Sequence, residues 1–183
     1  MLSRGLLPFL TFLPTSLALT HGQETPQKFS CGEINVLFTG LPPYHPLVKA
    51  QGADPAQVDA ALRADAANIR KQGYNLRVIL LGPEKNITTL TSYLGIPETA
   101  DGTPRPWDGT GVGFGVRGSA MAQLTVWFEE VVTAFRTGAP RAPIMFDFSP
   151  GTAGWAVERH FPIEEDCEAA GREGGDLRLA DWA

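Results

Sequence analysis

Six residues in the second half of the chain have the types and spacing to bind a phosphate. Residues 113–118 read G-F-G-V-R-G, so the glycines of a G-x-G-x-x-G motif are Gly113, Gly115 and Gly118. Glycines let the backbone come close to an anion, and the N–H groups at a helix N-terminus attract it. Arg117 and Ser119 would add a cation and a hydroxyl. The motif predicts a site for a small anionic or nucleotide-like ligand.

The same motif departs from a dinucleotide fingerprint in two respects. It follows the third predicted strand rather than the first, and no acid ends a strand about 20 residues further on, where a ribose would need it. Glu129 and Glu130 fall inside the next predicted helix, and Asp147 lies later, within the fourth predicted strand. The alternative interpretation is structural, because the glycines would also let a strand and a helix pack closely.

Further candidate residues follow the first and fourth predicted strands. Ligands of open α/β sheets bind beyond the carboxyl ends of the strands, where Gly40, Ser149 and Thr152 are placed. Ser149 has a second interpretation as a helix cap, with Pro150 at the first helical position. His45 has the chemistry of an acid or base, and a surface histidine is the alternative.

Several chemistries are missing from the sequence. There is no P-loop and no G-x-S-x-G elbow, and the three histidines and two cysteines are too scattered for a metal site. Catalytic residues and cofactor therefore stay unassigned.

The net charge of −5 comes from residues 163–183, which hold seven acids and two bases. Residues 1–162 are balanced, which argues against nucleic acid as a partner.

The hydrophobic pattern predicts strands that alternate with helices. Apolar, β-branched runs predict strands at 34–39, 76–81, 110–116 and 143–148. Apolar residues at helical spacing predict helices at about 55–72, 88–94, 123–136 and 153–160. Asp54 and Pro55 supply a cap and a first-turn proline, and Gly73 a helix end. The order predicts a three-layer Rossmann-like or flavodoxin-like α/β domain, with a parallel sheet of about four strands and helices on both faces.

Three segments carry a resemblance to other proteins. They are residues 36–43 (V-L-F-T-G-L-P-P), 113–118, and 142–150 (A-P-I-M-F-D-F-S-P), with an amphipathic helix between the last two. Together they resemble a loosely defined group of small fungal and bacterial Rossmann-like proteins that have no assigned activity. The likeness covers roughly residues 33–162. It implies the fold and an intracellular location, and it carries over no functional residue.

The composition divides the chain into three parts. Residues 1–32 form a signal-like leader and linker, 33–162 the domain, and 163–183 an acidic tail predicted to be disordered. The leader is too short and too interrupted by prolines to span a membrane. A cytoplasmic location is favoured, and secretion is the alternative if Met1 to about Gly22 is a cleaved signal peptide. Whether Cys31 and Cys167 pair stays open, and the Asn86 sequon is of a kind that arises by chance.

Three functions remain. The first is a binding module that holds an anionic or nucleotide-like ligand at the carboxyl edge of the sheet. The second is an accessory enzyme of small-molecule metabolism, such as an oxidoreductase, that uses His45 or Arg117. The third is a secreted partner-binding protein, with Trp155 and the acidic tail as contact features. The oligomeric state stays open.

Overall fold

Four parallel strands form the centre of the molecule. The computed structural model describes residues 28–95 and 105–175. The strands are β1 (Asn35–Gly40), β2 (Asn75–Leu80), β3 (Gly109–Val112) and β4 (Ile144–Phe146). They lie in the order β2-β1-β3-β4, and Phe38 in the middle of β1 faces Val78 on one side and Gly111 on the other. The predicted α/β fold with a parallel sheet is confirmed.

Helices cover both faces of this sheet. They are α1 (Pro46–Ala50), α2 (Pro55–Lys71), α3 (Thr88–Leu94), α4 (Phe114–Arg117), α5 (Ala122–Gly138) and α6 (Ala153–His160). Helices α2 and α6 pack against each other on one face, and α3 and α5 pack together on the other. The chain therefore leaves β1 and β3 towards opposite faces. Such a switch point opens a crevice at the carboxyl ends of the two strands.

The ends of α2 follow the local rules of its sequence. The side chain of Asp54 accepts a hydrogen bond from the Ala56 N–H at 2.9 Å, and Pro55 occupies the first helical position. Gly73, just past the helix, has a φ of +93°, which glycine adopts without steric cost. These three positions confirm the predicted cap, first-turn proline and terminating glycine.

The two faces of the sheet bury separate hydrophobic clusters. On the α3/α5 face, Leu124, Val131 and Phe135 of α5 are fully buried against the sheet. On the α2/α6 face, Ile69 of α2 and Met145 of β4 belong to the second cluster. The amphipathic stripe predicted for α5 is therefore the part of that helix that packs on the sheet.

The glycine-rich segment differs from its predicted secondary structure. The third strand ends at Val112 rather than at Val116, because the N–H groups of Val116 and Arg117 bond to the Gly113 carbonyl and begin α4. On the far side of the sheet, α6 begins at Ala153. Ser149 is therefore not its cap, and the interpretation of Pro150 as its first residue is wrong.

The amino end of the sheet is closed by segments from both sides of the domain. Cys31 and Cys167 form a disulfide with their Cα atoms 5.7 Å apart, and Phe29 pairs with Ile163 in a parallel bridge. Residues 163–175, which the composition assigns to the tail, lie against this end of the sheet, and Cys167 is buried. The leader up to residue 27 and the tail from residue 176 lie outside the described residues.

Candidate ligand-binding site

A cavity of about 470 Å³ lies between α2 and the sheet and reaches the carboxyl ends of β1 and β3. Its volume falls in the range of about 300–1,000 Å³ that is typical of small-molecule sites. The walls are largely apolar and include Phe38 and Leu80 of the sheet, Leu62 and Ile69 of α2, and Met121 at the start of α5. The sheet edge chosen from the sequence is therefore the edge at which the cavity lies.

Asp147 is a buried polar residue of this cavity that has an acceptor atom without a partner. It follows β4, is only 3% exposed, and its Oδ1 has no hydrogen-bond partner among the described residues. Burial raises the pKa of Asp147 to about 6, and the nearby charge of Asp65 also raises this pKa. The Phe114 N–H and the charge of Arg117 act in the opposite direction, because they favour the carboxylate. A buried acceptor without a partner is costly, so a ligand that donates a hydrogen bond would relieve it.

The second carboxyl of the cavity, Asp65 on α2, has partners already. It accepts hydrogen bonds from the N–H groups of Ala153 at 2.7 Å and Gly154 at 3.3 Å. Burial raises the pKa of Asp65, and these two bonds oppose the rise. Because Thr152, the residue before α6, makes no side-chain cap bond, Asp65 caps that helix from a neighbouring element. Asp65 is thus structural as well as part of the cavity wall.

The glycine-rich turn directs its first helical N–H to a protein carboxyl. The Gly113 N–H donates to the Thr39 carbonyl at 2.8 Å, which joins the ends of β1 and β3. The Phe114 N–H interacts with the carboxyl of Asp147 and lowers its pKa. A phosphate at the start of α4 would therefore meet a carboxyl that already uses this N–H, and the two groups would repel each other when ionised.

Arg117 lies outside the cavity lining. Its Nη2 donates to the backbone carbonyl of Asp147 at 2.7 Å. Its guanidinium carbon lies 5.5 Å from the ring centre of Phe114 and 6.0 Å from that of Phe146. Arginine stacks readily on aromatic faces, so this side chain ties α4 to the end of β4.

The structure separates the predicted ligand-binding residues into two sets. The cavity is lined by Gly40, Gly113, Gly115, Gly118 and Ser119, whereas Arg117, Ser149 and Thr152 are not among its lining residues.

The hydroxyls of the predicted set take part in local turns. Ser119 Oγ accepts from the Met121 N–H at 3.2 Å, just before α5. Thr152 Oγ1 accepts from the Ser149 N–H at 3.1 Å and donates to the Ser149 carbonyl at 2.9 Å. These bonds shape the connections at the sheet edge. Among the buried side-chain atoms of the described lining, Asp147 Oδ1 is the one that lacks a partner.

His45 stands outside the cavity lining and has partners on both ring nitrogens. Nδ1 accepts from the Leu47 N–H at 3.2 Å at the start of α1, and Nε2 lies 2.9 Å from Glu84 Oε2. Burial raises the pKa of Glu84, but the hydrogen bond and the charge of His45 help to outweigh the effect of burial, so the pKa of Glu84 is lowered overall.

Trp155, the predicted contact residue, is 46% exposed and packs edge-on against Phe148.

Neither carboxyl was predicted as a site residue from the sequence, although signals for both were present. Asp65 stands three residues after Leu62 and four before Ile69, so it shares the apolar stripe of α2. Asp147 directly follows the apolar strand β4, at the edge where ligands of such sheets bind. An acid at a position that the apolar pattern buries is informative, because Asp is rarely buried unless it is paired.

The comparisons with known proteins add no assignment to this geometry. No protein-family model, curated protein or solved structure matches the chain. Within residues 28–95 and 105–175, no three His, Cys, Asp or Glu side chains are grouped so that they could hold a metal ion. In the same ranges, no helix has the length and apolarity needed to cross a membrane. The resemblance to a Rossmann-like group stays a prediction.

Proposed function

We propose that this protein binds a small molecule that has an apolar body and one amine or other hydrogen-bond-donating group. The apolar body lies between α2 and the sheet, and the donor meets Asp147. One observation carries the proposal: Oδ1 of Asp147 is buried, lacks a partner among the described residues, and belongs to a cavity of about 470 Å³.

The charge of the cavity wall supports a donor or cation over an anion. Two acids, Asp65 and Asp147, line it, and its described lining holds no Lys, Arg or His. Opposite charge favours binding in a poorly solvated site, and like charge opposes it. An anionic or nucleotide-like ligand stays a prediction from the glycine motif, which supplies Gly113, Gly115 and Gly118 to the same wall.

The polar groups of the wall favour binding over catalysis. The Thr39 hydroxyl donates to the Ile79 carbonyl at 2.8 Å, and Ser119 accepts from a backbone N–H. Of the two carboxyls in the described lining, Asp65 accepts hydrogen bonds with both of its oxygens. Asp147 has one oxygen, Oδ1, that accepts none. The accessory-enzyme alternative would use Asp147 as a general base, since its pKa of about 6 is close to neutral pH.

A matched set of small probes tests the proposal. Hexylamine, hexanol and hexanoate share one apolar body and differ in the group presented to Asp147, and AMP and NADH represent the nucleotide alternative. We expect hexylamine to raise the melting temperature and to bind measurably in calorimetry at pH 7. Hexanol should bind more weakly, and hexanoate and the nucleotides should not bind.

Variants then locate the binding. Asp147→Asn should weaken hexylamine at least tenfold, which is about 1.4 kcal/mol, and leave hexanol within about twofold. Glu130→Gln is the matched control, because it removes one exposed acid from α5 on the opposite face. Equal binding of hexylamine and hexanoate, or full binding by Asp147→Asn, would overturn the proposal. AMP binding that Arg117→Ala abolishes would support the anionic alternative instead.

A further inference from the structure

The loop between β2 and α3 presents an acceptor sequence for an N-linked glycan. Residues 86–88 read Asn-Ile-Thr and form the one Asn-X-Ser/Thr triplet of the chain. Asn86 and Thr88 are both exposed. The Oδ1 of Asn86 accepts a hydrogen bond from the Thr88 N–H at 2.9 Å, while its Nδ2 donates to no described residue. The Nδ2 atom, to which a glycan would be attached, therefore belongs to an exposed residue and makes no hydrogen bond to a described residue.

An unrelated feature points to the compartment in which such glycans are added. Cys31 and Cys167 are joined as a disulfide, and no described cysteine is free. Disulfides form and persist in oxidising compartments and are rare in the cytosol. In eukaryotic cells the endoplasmic reticulum supplies both the oxidising environment and the glycosyl donor.

We propose that the chain folds in the secretory pathway and carries an N-linked glycan on Asn86. The donor is an oligosaccharide attached to a lipid through a diphosphate. The Nδ2 atom attacks C1 of the first sugar, and the bond between C1 and the diphosphate oxygen breaks with its electron pair on that oxygen. The proton that Nδ2 loses passes to water. The products are the glycosylated Asn86 and the lipid diphosphate, and the step needs no oxidant or reductant.

The glycan and the proposed ligand occupy different places. Asn86 is not among the residues that line the cavity, and Thr88 begins α3, which packs with α5 on the opposite face. A failure of the glycosylation proposal would therefore leave the proposed binding function unaffected, and the reverse also holds.

Intact mass spectrometry of the full chain, expressed from its own first residue in a yeast host, tests this proposal. We expect treatment with peptide N-glycosidase to remove the mass of one glycan and to convert Asn86 to Asp. Asn86→Gln and Thr88→Ala should lose the mass change completely. Thr88→Ser is the matched control, because it alters the same position, keeps the triplet and should keep the glycan.

Each contrary result has a definite meaning. If the Cys31–Cys167 disulfide has formed and Asn86 carries no glycan, the proposed glycosylation is overturned. Chain that stays in the cytosol with unmodified Asn86 and free thiols overturns both the site and the compartment. A glycan that persists in Asn86→Gln places the modification elsewhere and also overturns the proposal.

Discussion

The two ends of the parallel sheet differ in how completely their groups are cross-linked and hydrogen-bonded. At the amino end, the Cys31–Cys167 disulfide joins the two flanking segments, and the buried Tyr74 hydroxyl donates to the Phe161 carbonyl at 2.6 Å. At the carboxyl end, a cavity lies between part of α2 and the sheet, and Oδ1 of Asp147 has no hydrogen-bond partner among the described residues. A disulfide and buried hydrogen bonds hold the fold at the amino end, whereas the proposed binding cavity lies at the carboxyl end.

Hydrogen bonds at the amino end strengthen this contrast. The side-chain N–H₂ of Asn75 donates to the Gly32 carbonyl and to Asn35 Oδ1, both at 2.9 Å, and its Oδ1 accepts from the Gly175 N–H at 2.7 Å. One amide at the start of β2 thus connects the segment before β1, β1 itself and the segment after α6. Such a group stabilises a unique arrangement because each of its atoms has a partner.

The largest effect expected from this comparison follows from removing the disulfide. The double variant Cys31→Ser, Cys167→Ser releases a cross-link between residues 136 apart in sequence. Restoring that chain entropy to the unfolded state should lower the free energy of unfolding by about 4–5 kcal/mol, as measured in urea. Hexylamine binding should persist at temperatures where the variant is folded. Loss of binding without loss of stability would show that the two ends are not separate.

A smaller effect of opposite sign is expected at the carboxyl end. Asp147 has a pKa of about 6 when folded, raised by burial above its ordinary 3.8, so between these values the folded state binds more protons than the unfolded chain. Stability from this group is therefore full below about pH 3.8 and is lost as the pH rises through about 6. Asp147→Asn should be more stable than wild type by up to about 2–3 kcal/mol at pH 7.

Urea unfolding of both proteins at pH 7 and pH 4 measures this difference. The advantage of Asp147→Asn should shrink to near zero at pH 4, where the wild-type carboxyl is protonated. If Asp147→Asn is more stable than wild type and binds hexylamine more weakly, we conclude that Asp147 serves ligand binding at a cost in stability. A variant less stable than wild type at pH 7 would mark it as structural.

The smallest effect concerns Asp65, which both caps α6 and lines the cavity. Asp65→Ala removes the acceptor for the Ala153 and Gly154 N–H groups and should cost about 1–2 kcal/mol of stability, as caps commonly do. Asp65→Asn keeps one acceptor oxygen and should cost less. Hydrogen exchange of these two amides, with urea unfolding, measures the loss. Equal stability of the Ala and Asn variants would show that Asp65 is not the cap of α6.

Much of the fold could be predicted because local signals and tertiary structure agree. Apolar runs become buried strands, and Asp54, Pro55 and Gly73 act at the ends of α2 as their chemistry dictates. The carboxyl edge of the sheet could also be chosen from the sequence, because ligands of open α/β sheets bind there. The crevice between β1 and β3 follows only from the strand order that the structure shows.

The chemistry of the site could not be predicted in the same way. The direction of Arg117 depends on the rings of Phe114 and Phe146, which flank it only after α4 and β4 are in place. Asp65 becomes a cap only when a helix distant in sequence starts beside it. A cavity is a gap between packed elements, and apolar periodicity reports which residues are buried without reporting how well they fill the space.

The disulfide also determines how the domain responds to a mechanical load. A force applied to the chain before Cys31 and after Cys167 is carried across the covalent bond between them. The intervening strands and helices are then bypassed and experience almost none of the tension. A chain anchored or pulled through its flanking segments would thus keep its sheet, and the cavity at the opposite end, in the shape of the unloaded protein.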